Sequence, residues 1–419
     1  MTLELCQVHG VRVKAGYVLG MDPRGASSPQ LLRRLNAGAV VRFALGVGEF
    51  AAAEAMSATG LTWPTVLGVC DGLVADGWLE EVADSRAAGL TSKGRPARRY
   101  RLREAAGVVA GLDAGQHHFT AVVADLRGRV LAQLAVDAPP VDDVADMPQR
   151  RRAAGARRAL AASLLREALA AAGRSEGDAL IAAVAVPAPV DARGLSPRGE
   201  DDYWATMNPG FAGALPCEVV VENDANLAAV AEQARGGHPS EAGVATVLAG
   251  ERLGAGVILD GRLLRGSRGG VGEMRFLGIV EGVGTAEGVG ALARDWGREE
   301  LGDGVDVFAA AAEGDPSALA IVDRLGDRVA RVAEALSSLL DIDRVVFAGA
   351  IAPALGPVLA RAREVMRSEF QDPVPELAAS ALGPDIVAMG AVDAALARVR
   401  AEPLAFAPRR TSEISPTRT

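Results

Sequence analysis

Cysteine and histidine are scarce in this sequence: Cys6, Cys70 and Cys217 lie far apart, and the histidines are His9, His117, His118 and His238. No pair has the short spacing of a zinc knuckle or a redox motif, so a disulfide framework is excluded and no metal site is expected. No run approaches the roughly 18 apolar residues that a membrane helix needs. The first twenty residues also lack the continuous apolar stretch of a signal peptide. The chain therefore reads as cytoplasmic, with no membrane partner. Aromatic residues make up only 4% while glycine occurs 49 times, a balance that points to tight turns and close backbone approaches. At 419 residues with 49% hydrophobic and 23% charged side chains, the composition is that of an ordinary globular protein of two to four domains.

Charge is unevenly placed. Residues 1–28 carry +1 and residues 29–103 carry +3, which leaves -13 for residues 104–419 out of a total of -9. A basic front joined to an acidic body is the asymmetry of a chain that touches an anion with one part only. Six of the eleven residues from Lys93 to Arg103 are basic and none is acidic. Such a run is either a phosphate-binding element or a solvated linker.

What precedes the run favours phosphate. Apolar residues at helical spacing predict a helix over Leu31–Leu45, a second over Phe50–Ala58, and a third that starts at Thr62-Trp63-Pro64 and runs to the Asp76-Gly77 break. Thr62 is the expected N-cap, and Pro64 is tolerated in a first turn because its missing N–H would be unpaired anyway. Trp78–Val82 and Ala97–Leu102 then pair as two strands with a basic tip. Helix, helix, tight turn, helix and hairpin make a winged helix-turn-helix over residues 29–103, with a packing module that binds protein as the alternative. Thr62, Trp63 and Thr65 stand where base or phosphate contacts would fall. Lys93, Arg95, Arg98 and Arg99 are the candidate wing contacts, with Arg95 suited to a narrow minor groove. The third helix itself has no Lys or Arg and carries Asp71 and Asp76, so arginine-to-guanine readout is largely absent from it. Residues 1–28 read as a flexible leader and residues 403–419 as a disordered tail.

From Val108 onward, apolar strand-like runs form a meander and then alternate with helices, twice over. That pattern implies an α/β body, residues 104–402, of two lobes with a ligand cleft between them. Its motifs follow in order: Asp113-x-Gly115, Val186-Pro187-Ala188-Pro189-Val190-Asp191, Glu222-Asn223-Asp224-Ala225-Asn226, Leu253–Val257, and Gly261–Gly266 leading to Gly272-Glu273. In this order, behind a winged helix, they resemble the ROK family of repressors, open reading frames and sugar kinases, over about residues 29–400. The resemblance implies an actin-like (ribonuclease H-like) sugar-kinase fold and, with the attached winged helix, the repressor branch.

By the same resemblance Asp224 contacts a sugar hydroxyl and is the general base in kinase members, while Asn223 and Glu273 match other sugar-contacting positions. A plain helix N-cap is the alternative role for Asp224, and the two are compatible. Asn208, in the loop after Trp204, and Glu287, matching the last acid of the family's zinc motif, complete the candidate ligand set.

Departures from the family pattern bear on activity. Where kinases carry Gly-Gly-Thr this chain has Ala114-Gly115-Gln116, and where they carry Gly-Thr-Gly it has Gly250-Glu251-Arg252. A carboxylate beside a polyphosphate is repulsive, with Arg252 offsetting only part, so nucleotide binding is expected to be lost and no cofactor is expected. The sugar-binding histidine is replaced by Phe276, and Gly278–Gly284 stands where a cysteine-rich zinc motif would be. The expected function is a DNA-binding regulator of carbohydrate metabolism, a dimer or tetramer whose partners are operator DNA and a sugar or sugar derivative. A sugar kinase with a DNA-binding front and a ligand-independent DNA-binding protein are the alternatives.

Overall fold

A computed structural model describes residues 29–82, 98–141, 147–197, 203–239, 242–370 and 373–408. The expected leader, residues 1–28, and the tail from 409 lie outside the described residues, as do Lys93 and Arg95 of the basic run.

The front module is built in the order α1 (Pro29–Gly46), β1 (Glu49–Ala51), α2 (Ala52–Thr59), α3 (Trp63–Ala75), β2 (Leu79–Val82) and β3 (Arg99–Leu102). Its sheet has the antiparallel order β1-β3-β2, one strand more than the expected hairpin. Strand β1 holds Phe50, which the helical spacing had assigned to the second helix. Phe50 is buried, 5.2 Å from the Phe43 ring and 5.9 Å from Tyr100 on the central strand. Three residues are too short to display a two-residue alternation, and tertiary packing decides their state.

The body carries two five-stranded sheets with one scheme. The first combines β4 (Val108–Ala114), β5 (His118–Asp125), β6 (Val130–Asp137), β7 (Ala179–Val186) and β8 (Glu218–Asn223), ordered β6-β5-β4-β7-β8. The second combines β9 (Val244–Leu248), β10 (Gly254–Leu259), β11 (Arg262–Leu264), β12 (Arg344–Ala348) and β13 (Glu376–Ala379), ordered β11-β10-β9-β12-β13. In each, three antiparallel strands continue into two parallel ones. Helices α4 (Met147–Ala171) and α5 (Tyr203–Met207) belong to the first lobe. Helices α7 (Val289–Leu301), α8 (Val307–Ala312), α9 (Pro316–Leu340) and α10 (Gly356–Glu369) belong to the second.

Two helices form the seam. α6 (Asp224–Arg235) packs on β9 and β10, α11 (Ile386–Ala401) packs on β4 and β7, and α6 and α11 pack on each other. Gly390 makes this approach possible, since a Cβ there would lie 1.8 Å from the Leu227 carbonyl oxygen. On its other side α11 meets Gly111 of β4, whose Cβ would fall 2.4 Å from the Ala388 carbonyl oxygen.

The front module is not a bead on a string. Its core residues form one cluster with α11 and one face of the first sheet. Arg103, 7% exposed, donates from Nε to the Gly77 carbonyl at 2.8 Å, and Arg127 donates from the β5–β6 turn to the Val47 carbonyl at 2.6 Å. The expected disordered tail is corrected in part. Pro403–Ala405 forms a helical turn against α1 and α11, and Phe406 is buried because it and Leu404 complete that shared core. Among the described residues no helix is long and apolar enough to cross a membrane.

Adding one methyl at the seam tests this packing. Gly390→Ala is expected to lower unfolding stability by about 1–3 kcal/mol through overpacking, read as a shift in the urea midpoint. An unchanged midpoint would contradict backbone contact between α6 and α11.

Candidate functional site

Strand β8 delivers the Glu-Asn-Asp-Ala-Asn element to the mouth of the seam. Asn223, rather than Asp224, caps α6: its side-chain oxygen accepts from the Asn226 N–H at 3.0 Å, and its amide donates to the Ala188 carbonyl at 3.2 Å and to Asp224 Oδ1 at 3.0 Å. Asp224 occupies the first helical turn, where Oδ1 also accepts from the Ala225 N–H at 2.8 Å. The loop is fixed from behind by Glu222, buried, which accepts from the Asn226 amide at 2.9 Å, from the Asn223 N–H at 3.0 Å and from Arg265 Nε at 2.6 Å.

In front of this loop lies a cleft of about 260 Å³ whose wall includes Tyr203, Trp204, Asn223, Asp224, Arg252 and Glu273. Three of the expected ligand residues are thus brought together, from β8, from the start of α6 and from the loop after β11. Desolvation pushes the Asp224 carboxyl up to about 7; the Ala225 N–H opposes this and the Glu273 charge adds to it. Asp113, at the end of β4, is likewise pushed up to about 7, by desolvation first and by the Asp224 charge second, against the pull of Arg157. Near neutral pH the site therefore holds both protonated and ionised carboxyls, able to donate to one hydroxyl and accept from another.

Two of the expected ligand residues are placed elsewhere. Asn208 is buried with its amide donating to the Gly194 carbonyl and to Ser196 Oγ, both at 3.0 Å, so it ties down the 191–196 loop instead of facing the cleft. Glu287 is exposed, accepts from the Thr285 hydroxyl, and borders a separate depression beside α9. The strand of loop between them is organised by Arg328 of α9, which is buried and donates to the Val283 and Thr285 carbonyls. Burial lowers its pKa. Among the described residues no cluster of three or more His, Cys, Asp or Glu is arranged to hold a metal ion.

Residues that sequence reasoning missed include Arg157 of α4, fully buried, which donates from Nη2 to the carbonyls of Ala114 at 2.6 Å and Gly115 at 3.0 Å. It lies over the Phe119 ring at 4.8 Å, and burial brings its pKa down to about 10. In the sequence it is one arginine of an Ala/Leu/Arg-rich helix, which reads as a solvated face. Glu251 also differs from expectation. It is held by Arg294 of α7 at 2.8 and 2.7 Å, whereas Arg252 turns toward the Tyr203 ring, 5.9 Å from its centre. The carbonyls of Ala249 and Gly250 in that loop accept from the Gly290 and Ala291 N–H groups at the start of α7, at 3.0 and 3.1 Å.

On the front module, Thr62 and Trp63 are exposed at the N-terminus of α3 and Thr65 is half-buried, with the two threonine hydroxyls 2.9 Å apart. Of the wing cations, Arg98 forks onto Glu81 at 2.9 and 2.7 Å and reaches Asp71 at 2.8 Å. The hydrogen bonds it donates to Glu81 and then Asp71 raise its pKa. Arg99 faces Glu49 at 3.6 Å, and Arg101 pairs with Glu80.

The ROK family pattern matches residues 109–398, and the chain belongs to that family. A solved ROK family transcriptional regulator, a homologue of the E. coli MLC protein, covers 89% of this chain and 98% of its own length at 19% identity and a TM-score of 0.66. A ROK hexokinase from Thermus thermophilus covers 70% of this chain and 99% of its own at 27% identity and a TM-score of 0.50. The bifunctional enzyme NanE/NanK of Brucella suis biovar 1 is 29% identical over 221 residues, 47% of this chain and 41% of that enzyme. The chain thus spans about two fifths of that relative's length.

The coupled carboxyls give a pH test. An acid whose folded pKa stands near 7 against an ordinary 3.8 binds more protons folded than unfolded, so stability falls as pH rises through that window. Asp113→Asn is expected to raise the thermal midpoint at about pH 8 and leave it almost unchanged at about pH 4. An equal shift at both would show that the carboxyl is not titrating in the cleft.

Proposed function

We propose that this chain is a DNA-binding transcriptional regulator, acting as a repressor, whose two-lobed body responds to a sugar or sugar derivative in the cleft. The observation that carries the reading is the attachment of the front module: α1 reaches the end of the seam helix, with Arg42 near the Ala401 carbonyl at 3.5 Å and Arg34 near the Leu404 carbonyl at 3.4 Å. A ligand that closes the lobes shifts α6 against β4, moves α11 between them, and so re-aims α1 and the helices packed on it.

In this reading α2 and α3 are the helix-turn-helix and β2–β3 the wing. Thr62, Trp63 and Thr65 enter the major groove, while Lys93, Arg95, Arg98 and Arg99 face phosphates or the neighbouring minor groove. Two or four chains then set the spacing of half-sites, about one helical turn of DNA or a multiple of it. In the cleft Asp224 and Asn223 fork onto neighbouring hydroxyls with Glu273 opposite.

The second reading is a sugar kinase, favoured by an Asp224 whose raised pKa suits a general base. Against it, loop carbonyls occupy the N–H groups of α7, and Glu251 sits in the second phosphate loop.

Purified protein mixed with its own upstream DNA should bind with a log affinity that falls linearly against log salt. Trp63→Ala should weaken that binding by about ten-fold, the loss of one good base contact, without altering the salt slope. No salt-dependent binding, combined with sugar-dependent ADP formation that Asp224→Asn abolishes, would replace the regulator with the kinase.

A further inference from the structure

The cleft is bipolar, and its positive pole is unmatched. Arg252 lines the same wall as Asp224 and Glu273, yet among the described residues it makes no ion pair, only the ring contact with Tyr203 at 5.9 Å. The acids nearest to it along the chain are engaged elsewhere. Glu251 is bidentate on Arg294, and Glu287, joined to Arg252 through a backbone bridge, accepts from the Thr285 hydroxyl beside α9.

We infer that the ligand of this cleft is an anionic polyol, a sugar bearing a carboxylate or a phosphate, whose charge is met by Arg252 while its hydroxyls meet Asn223, Asp224 and Glu273. The inference rests on the sugar-responsive reading above and narrows it. Arg252 is exposed in the open cleft; a neutral sugar closed over it would strip its water and give it no partner, which is costly for a desolvated cation. An anionic ligand supplies the counter-charge, and the planar guanidinium fork suits two oxygens of a carboxylate or phosphate. The negative pole then serves selectivity. The carboxyl groups of Asp224 and Glu273 disfavour an anion placed at their end, so the ligand is admitted in one orientation, hydroxyls toward Asp224 and charge toward Arg252.

Calorimetric titration of the full chain with the neutral, uronate and 6-phosphate forms of glucose, galactose and mannose tests this. At least one anionic form should bind about ten-fold or more tighter than its neutral parent, the effect of one charge-assisted fork. A uronate preference assigns a carboxylate, and a 6-phosphate preference assigns a phosphate. Arg252→Gln should bring that ratio close to one, chiefly by weakening the anionic form. A neutral sugar that binds as tightly as its anionic forms, or a preference that survives Arg252→Gln, overturns the inference and leaves the sugar-responsive body standing. Absence of heat with all nine compounds overturns both.

Discussion

Contact between backbones on both sides of α11 is the constraint on which the rest of the molecule depends. With Gly111 of β4 on one side and Gly390 against Leu227 of α6 on the other, the helix has no side-chain cushion through which a small displacement could be absorbed. Tightly packed interiors move as rigid pieces between discrete arrangements. The outer edge of the seam is held by Arg235 of α6, which forks onto Asp393 of α11 at 2.7 and 2.8 Å. Any change in how the two lobes meet must therefore be carried along α11, whose far end shares its core with the front module.

The same seam explains the electrostatics of the cleft. Asp113 comes from the first lobe, Asp224 from the start of α6, and Glu273 from the loop after β11, so one closure brings carboxyls from both lobes into a common field. Burial pushes the first two up, with the Asp224 charge adding at Asp113 and the Glu273 charge adding at Asp224. Arg157 tempers this from behind. Because it is fully buried and bonded to the Ala114 and Gly115 carbonyls, it fixes the turn after β4 as well as offsetting Asp113. A turn held in this way needs no glycine pair to keep its shape, consistent with Gln116 standing in it and accepting from the Tyr203 hydroxyl at 2.8 Å.

Most strands of the body were legible because buried strands are continuous apolar runs, as in β9, β10 and β12. The helices from α9 to α11 were legible as the helices alternating with those strands, because their apolar stripes are periodic. Short elements were not. β1, β11 and β13 have three or four residues each, and α7 and α8 lie in a stretch whose glycines break the periodic signal. In the site, Asn223, Asp224 and Glu273 could be named from their motifs, since each is fixed by a local turn. Asn208 and Glu287 could not be placed, because whether a loop side chain faces the cleft depends on long-range partners, here Gly194 and Ser196 for one and Thr285 for the other. Arg157 carried no local signal at all, and Arg252 was read only as a partial offset to Glu251.

The charge count that singled out the basic run also needs a physical correction. In the described part of the wing each arginine of β3 or its approach faces an acid: Arg98 with Glu81 and Asp71, Arg99 with Glu49, Arg101 with Glu80. Exposed pairs of this kind contribute about 0–1 kcal/mol, so a phosphate can displace the carboxylate at little cost. The displaced acid remains nearby, however, and repels any phosphate that is not placed to take its arginine. Asp71 is the telling case, because it lies on α3 itself and is exposed. Under the proposed regulator reading, a surface whose cations are matched in this way would attract DNA weakly at long range and discriminate strongly at contact. On that proposal, loose attraction combined with strict docking would let lobe closure in the body decide whether the chain stays bound.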